Sequence, residues 1–131
     1  MLLMLTSRHS PKLTLTAFMK QSEFWLINLD PTIGSEISKT RPAIIVNDNT
    51  LGRLPLKIVV PLTDWKDRYS VAAWMVKVVP DRLNKLSKPS AADCFQVRSV
   101  AQERLVKKIG TIDSDAMNQI RRALALVFTI E

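Results

Sequence analysis

The side chains best suited to chemistry cluster in one short stretch. Ser35, Glu36 and Lys39 share a polar loop, and Arg41 follows it directly, beside Pro42. An arginine ahead of a proline has a restricted backbone and aims its fork reproducibly. A guanidinium can grip a phosphate through two parallel hydrogen bonds. Thr63, closing a later apolar run, could bind a second phosphate oxygen. Just beyond it, Trp65 and Tyr69 alternate with Lys66 and Arg68. Such interleaving suits single-stranded nucleic acid, where aromatics stack on bases while cations hold the backbone. Each residue also has a plainer reading: Glu36 and Arg41 as a surface ion pair, Thr63 as a strand former, Trp65 as packing beneath its own loop.

Other chemistries find little support. His9 and Cys94 are the only histidine and cysteine, and they lie far apart, so neither a zinc site nor a Cys-His couple is expected. Asp64 and Asp67 share a loop, which is a weak basis for a metal site. Gly34 is isolated and belongs to no phosphate-binding glycine pattern. No metal and no cofactor is expected. A lone cysteine cannot form an intrachain disulfide, which suits a reducing, cytoplasmic compartment. Beside Phe95 in an apolar run, Cys94 reads as core.

The balance of charge agrees with a polyanionic partner. The 131 residues carry 19 Lys and Arg against 12 Asp and Glu, a net charge of +7. Residues 1–18 supply Arg8 and Lys12 and no acid, so the remainder, with 17 basic against 12 acidic residues, still carries +5. Phosphates attract such an excess with little regard to sequence. The opening MLLMLTSRHSPKLTLTAF is too short and interrupted to span a bilayer, and its apolar residues precede its charges, the reverse of a secretory signal. No membrane association is expected. Residues 1–18 read as a loosely ordered N-terminal extension, with Met19 as a possible functional start, and residues 19–131 as a single domain.

The elements that must position the loop are mostly strands. Glu23 to Leu29 is an aromatic and apolar run that stops at Asp30-Pro31, a strand followed by a turn. Pro42 to Asn47 and Lys57 to Leu62 are β-branched, with Pro61 marking an edge or a bulge. Val71 to Val79, Ala92 to Val97 and Leu105 to Gly110 read as further strands, and Ser99 could cap a helical turn over Val100 to Glu103. Asp113 or Ser114 can cap a last helix, on which Met117, Ile120, Leu124, Val127 and Phe128 form one apolar stripe. The fold class is therefore mainly β with α (α+β), a small, strongly bent antiparallel sheet or barrel closed by a C-terminal helix.

These residues bring a family into view. Phe24-Trp25-Leu26-Ile27-Asn28-Leu29-Asp30-Pro31-Thr32, Gly34-Ser35-Glu36 and Arg41-Pro42-Ala43-Ile44-Ile45-Val46 resemble the opening of MazF/PemK (Kid)-type toxins, the ribonucleases of bacterial type II toxin–antitoxin modules. Val59 to Thr63, Gln96 to Val100 and Arg104-Leu105 match later segments in order and spacing. The resemblance covers about residues 19 to 129. It implies an SH3-like barrel of the MazF/CcdB type, a homodimer, and sequence-specific, metal-independent cleavage of single-stranded mRNA that inhibits translation and growth. It implies a second partner, a cognate antitoxin with an acidic, partly disordered segment. By the same resemblance Arg41 and Thr63 match the catalytic pair, with Glu36 and Ser35 in the active-site loop. Asn28, Lys39, Gln96 and Arg98 join Trp65, Lys66, Arg68 and Tyr69 as RNA contacts.

There are departures. Some PemK-like members place a histidine in the Gly-x-Glu loop and an Arg-x-Asp pair before the late Gln, where this chain has Ser35, Asp93 and Phe95. The MazF-like version of the site is the better match. Ile37 replaces a common Gln, which bears on base preference. The implied reaction is attack by the RNA 2′-OH, giving a cyclic phosphate and a 5′-hydroxyl. Arg41 would stabilise the phosphate and Thr63 would orient it, while Glu36 would serve as base or hold Arg41. Two alternatives are a non-enzymatic, CcdB-like gyrase poison of the same fold and a catalytically silent RNA-binding module. The chain end Val127-Phe128-Thr129-Ile130-Glu131 lacks the tryptophan typical of the former.

Overall fold

The β-branched runs pair into a sheet that bends around one long central strand. The computed structural model describes residues 19–51 and 54–131. Its strands are β1 (Glu23–Asn28), β2 (Thr40–Ile45), β3 (Leu56–Asp64), β4 (Met75–Val78), β5 (Ser90–Asp93), β6 (Arg98–Ala101) and β7 (Leu105–Thr111). A C-terminal helix, α1, spans Ser114–Phe128. The strands run β4-β5-β3-β2-β1-β7 with antiparallel pairing, and β6 pairs β3 off that path. The end strands β4 and β7 do not pair with each other, so the bent sheet stays open where a closed barrel would have joined them.

β3 explains the bend. One side of it pairs with β2, from Ala43 opposite Pro61 to Ile45 opposite Val59. The other side is shared: β6 takes Leu56 to Val59 and β5 takes Leu62 to Asp64. Val60 and Pro61 fall at the handover between those partners. Pro61 therefore sits in a central strand and not at an edge, at the place where a missing N–H donor disrupts neither ladder.

Alternation along β2 and β3 sends side chains to opposite faces. On one face Phe24, Ile44, Val60, Leu62, Ala92 and Cys94 pack against Met117, Ile120 and Ala123 of α1. On the other, Ile27, Leu29, Ala43, Ile45 and Val59 pack with Val100, Leu105 and Met19. The Asp113 side chain caps α1 by accepting from the Ala116 N–H, and Thr129 ends the helix in the left-handed region. The expected apolar stripe holds through Met117, Ile120 and Leu124. Phe128, in the last turn, is exposed.

Three local expectations are corrected. Strand β4 is shorter than Val71 to Val79, because Asp67–Val71 forms a 3-10 turn closed by successive bonds from Tyr69 N to Lys66 O and Ala72 N to Tyr69 O. The run Ala92 to Val97 divides, since the Asp93 carboxylate accepts from the Phe95 N–H and starts a 3-10 turn at Cys94–Gln96. Ser99 caps no helix; it pairs with Ile58 inside β6. The expectation for residues 1–18 lies outside the described residues. Among the described residues, no helix is long and apolar enough to cross a membrane.

Candidate active site

The loop between β1 and β2 is held at many points. Gly34 and Lys39 adopt left-handed backbone, with φ of 60° and 69°. A Cβ at Gly34 would meet no atom within 4 Å, so glycine is required there by conformation and not by space. Within the loop, the Glu36 Oε1 accepts from the Ile33 N–H at 2.6 Å and the Asp30 Oδ1 accepts from the Lys39 N–H at 3.0 Å. Other staples come from far along the chain. The Gln96 Oε1 accepts from the Ile37 N–H at 2.6 Å, and its Nε2 donates to the Ser35 carbonyl and to Asp93, both at 3.3 Å. Arg98 donates to the Leu29 carbonyl at 3.3 Å, and Arg104 donates to the carbonyls of Asn28 and Asp30.

Two adjoining clefts open beside this loop. The first, about 340 Å³, is lined by Lys39, Arg41, Thr63, Asp64, Ser87 and Lys88, among others. The antiparallel pairing of β2 with β3 brings Arg41 and Thr63 to it, each two residues beyond the Ala43–Pro61 pair. Among the described residues only Nε of Arg41 is engaged, by the Ser38 carbonyl at 3.4 Å, so its two terminal nitrogens are left for a ligand. Lys88 reaches Asp64 at 3.1 Å. The second cleft, about 530 Å³, is lined by Ser35, Glu36, Ile37, Pro61, Phe95, Gln96, Val97 and Arg98. Pro61 lines the second and Leu62 to Asp64 the first, so they meet along β3.

Burial sets the protonation of the groups behind the second cleft. Removal from water pushes the Asp93 carboxyl up, against the hydrogen bonds from Phe95 and Gln96 that pull it down. Burial, reinforced by the charge of Asp93, pushes the Cys94 thiol up to about 12. A thiol held neutral is no nucleophile. Among the described residues, no group of three His, Cys, Asp or Glu side chains is placed to hold a metal ion.

The expected residues thus separate into groups. Arg41, Thr63 and Lys39 meet in one cleft, and Ser35, Glu36, Gln96 and Arg98 meet in the other. Glu36 does not hold Arg41: its Oε1 is turned into its own loop, and Arg41 binds Ser38. Asn28 lines neither cleft and caps the following turn by accepting from the Asp30 N–H. Trp65, Lys66, Arg68 and Tyr69 also line neither. Trp65 meets Tyr69 edge to face at 5.9 Å and lies under the Lys77 ammonium, while Arg68 covers Tyr69. Their cation–aromatic pairing is internal to the segment and its neighbour β4. Sequence reasoning missed Lys88 and Ser87, which arrive from the connector between β4 and β5 that carries Arg82, Lys85 and Lys88, and Phe95, 68% exposed on the wall of the second cleft. A basic connector gives no sign of which cleft it borders.

Comparison with known proteins gives a consistent result. Residues 20–128 match the family model described as PemK-like, MazF-like toxin of type II toxin–antitoxin systems. The chain is 30% identical over 120 residues to endoribonuclease MazF9 of Mycobacterium tuberculosis, covering 82% of this chain and 94% of that protein. It is 29% identical over 113 residues to endoribonuclease PemK of Escherichia coli, covering 85% of this chain and 83% of that one. Among solved structures, a mycobacterial endoribonuclease in complex with its cognate antitoxin superposes with a TM-score of 0.67 at 18% identity, over 86% of this chain and 96% of that one. That last likeness concerns the fold.

Proposed function

This chain belongs to the PemK-like, MazF-like toxin family of type II toxin–antitoxin systems, and from that membership we propose that it is an endoribonuclease whose reacting phosphate sits in the cleft of Arg41 and Thr63. The observation that carries this reading is their convergence: two strands deliver a hydroxyl and a guanidinium, whose terminal nitrogens have no partner among the described residues, to one cavity with Lys39 and Lys88 at its rim. That set suits a phosphodiester. The curated relatives named above are endoribonucleases.

The reaction needs no external nucleophile. The 2′-oxygen of the scissile nucleotide attacks the adjacent phosphorus, and the bond from phosphorus to the 5′-oxygen breaks. One proton leaves the 2′-OH and one is delivered to the departing 5′-oxygen, so the products are a 2′,3′-cyclic phosphate and a 5′-hydroxyl end. Arg41 stabilises charge on the non-bridging oxygens, while Thr63 orients one of them. With one carboxylate oxygen spent on Ile33, Glu36 shapes the loop, and its other oxygen is the one available to take a proton. The positive charge comes from Arg41 and the nucleophile from RNA, so cleavage is metal-independent. Ser35 and Arg98 belong to the groove that receives the flanking nucleotides, and Gln96 braces its wall through Ile37, Ser35 and Asp93.

Residues 19–131 carry this activity as a cytoplasmic homodimer regulated by an antitoxin. Exposed Leu56 and Ile58, alternate residues on one face of β3, support self-association. The net charge of +7 supports an acidic antitoxin segment lying across the clefts.

The test is to incubate the purified protein with a long RNA in EDTA and map the cut ends. Discrete cuts with 5′-hydroxyl ends are expected, blocked by 2′-deoxy substitution at the scissile nucleotide. Arg41→Ala should lower the rate by about 10²–10³-fold with an unchanged circular dichroism spectrum. An intact RNA would instead leave a binding module or a gyrase poison, and a fully active Arg41→Ala would remove the phosphate site from this cleft.

A further inference from the structure

The feature of the second cleft that the reaction scheme leaves unused is Phe95. Phe95, 68% exposed as a residue, stands among polar neighbours: Ser35, Glu36, Gln96 and Arg98 line the same cleft. Its backbone is not loose. Cys94, fully buried, anchors the 3-10 turn in the core, and the Cys94 N–H donates to the Trp74 carbonyl at 3.0 Å. The Asp93 carboxylate accepts from the Phe95 N–H at 3.1 Å. The ring is braced on one side by Trp74, at 6.0 Å between centroids and 65° between planes.

We propose that Phe95 is a stacking platform for an unpaired base of the RNA, adjoining the scissile phosphate site. The inference rests on the ribonuclease reading and deepens it by assigning a base subsite. Every base has a π-face, so an exposed ring beside a cation and hydrogen-bonding side chains can hold a splayed base while those groups meet its edge. Among the described residues, Arg98 spends only Nη1, on the Leu29 carbonyl, which leaves guanidinium N–H groups for the backbone of the same nucleotide. A rigid aromatic loses little conformational freedom on binding. Pro61 on the second cleft and Leu62 to Asp64 on the first put the platform's cleft next to that of Arg41 and Thr63.

The experiment proceeds from the cut site found in a long RNA. A short single-stranded RNA of that sequence, with 2′-deoxy at the scissile nucleotide, is made with 2-aminopurine at each flanking position in turn. The wild-type protein should quench one of these positions by stacking. Phe95→Ala should abolish that quenching and lower kcat/KM by roughly tenfold, mainly through KM, and Phe95→Trp should restore both. Quenching and cleavage unchanged in Phe95→Ala would overturn the proposal and leave the ribonuclease reading standing. A Phe95→Ala variant that changes mass by light scattering would overturn it too, by assigning the ring to contact with a second copy of the chain. A wild-type protein that leaves the long RNA intact would overturn both.

Discussion

Gln96 was expected to contact RNA, yet in the structure its amide closes three hydrogen bonds within the protein. Replacing it by leucine keeps similar bulk and removes all three. The bond from the Ile37 N–H is 2.6 Å long and half-buried, and losing such a bond costs about 1 kcal/mol, with more if the donor stays dry. The bond to the Asp93 carboxylate has a charged acceptor but is long at 3.3 Å, so it contributes a further ~1 kcal/mol. The Ser35 carbonyl is exposed, and water replaces that bond at little cost. The expected loss is therefore about 2 kcal/mol, read by urea unfolding. It should be concentrated in the loop, so amide exchange at Ile37 should accelerate by up to ~30-fold, while core amides such as Val60 slow or quicken only with global stability. RNA cleavage should fall along with loop order. Loss of cleavage with unchanged exchange at Ile37 would refute this reasoning and return Gln96 to direct contact with RNA.

Two further predictions concern the scaffold. The Asp93 carboxyl is held above its ordinary value by burial, so the folded state binds its proton more tightly than the unfolded chain. Its contribution to stability is then greatest below the unfolded pKa and declines as pH rises through the folded one. Asp93→Asn should remove that decline, flattening unfolding free energy against pH upward from about 4; parallel curves for the two proteins would contradict it. At the glycines, a Cβ at Gly110 would lie 2.3 Å from the Leu83 carbonyl oxygen and 2.9 Å from that of Asn84, whereas one at Gly34 meets open space. Gly110→Ala should thus cost on the order of 3 kcal/mol by displacing backbone, and Gly34→Ala about 1 kcal/mol from its left-handed φ alone. Thermal melts that rank them in the reverse order would count against both arguments.

Much of the molecule was legible because its signals are local. β-branched runs form strands wherever they find partners, so β1, β2, β3 and β7 lie close to where their residues indicated. Apolar spacing of three and four within its fifteen residues, and the Asp113 cap just before them, determine α1. Gly34 and the Arg41-Pro42 step mark the loop and the start of β2 by backbone restriction alone. The errors fell where a side chain competes with the ladder, as Asp93 does by capping Phe95.

What the sequence by itself determined is the kind of chemistry at the loop from Gly34 to Pro42: a fixed arginine beside a polar turn on a basic chain. Only the tertiary structure decided how that loop is held and what shares its clefts. Gln96 reaches it across 59 and 61 positions of sequence, and Arg98 and Arg104 tie down the chain just before it, at Asn28 to Asp30, across 69 to 76. Glu36 and Arg41, five residues apart, end up lining different clefts. Trp65 and Tyr69, promising as base platforms, pack on each other, with Lys77 over Trp65 and Arg68 over Tyr69, while Phe95 stands exposed instead. Each outcome depends on strand register and on the change of partner along β3. A side chain's chemistry is a property of its residue, but its neighbours are set by pairings between distant segments, which no local pattern encodes.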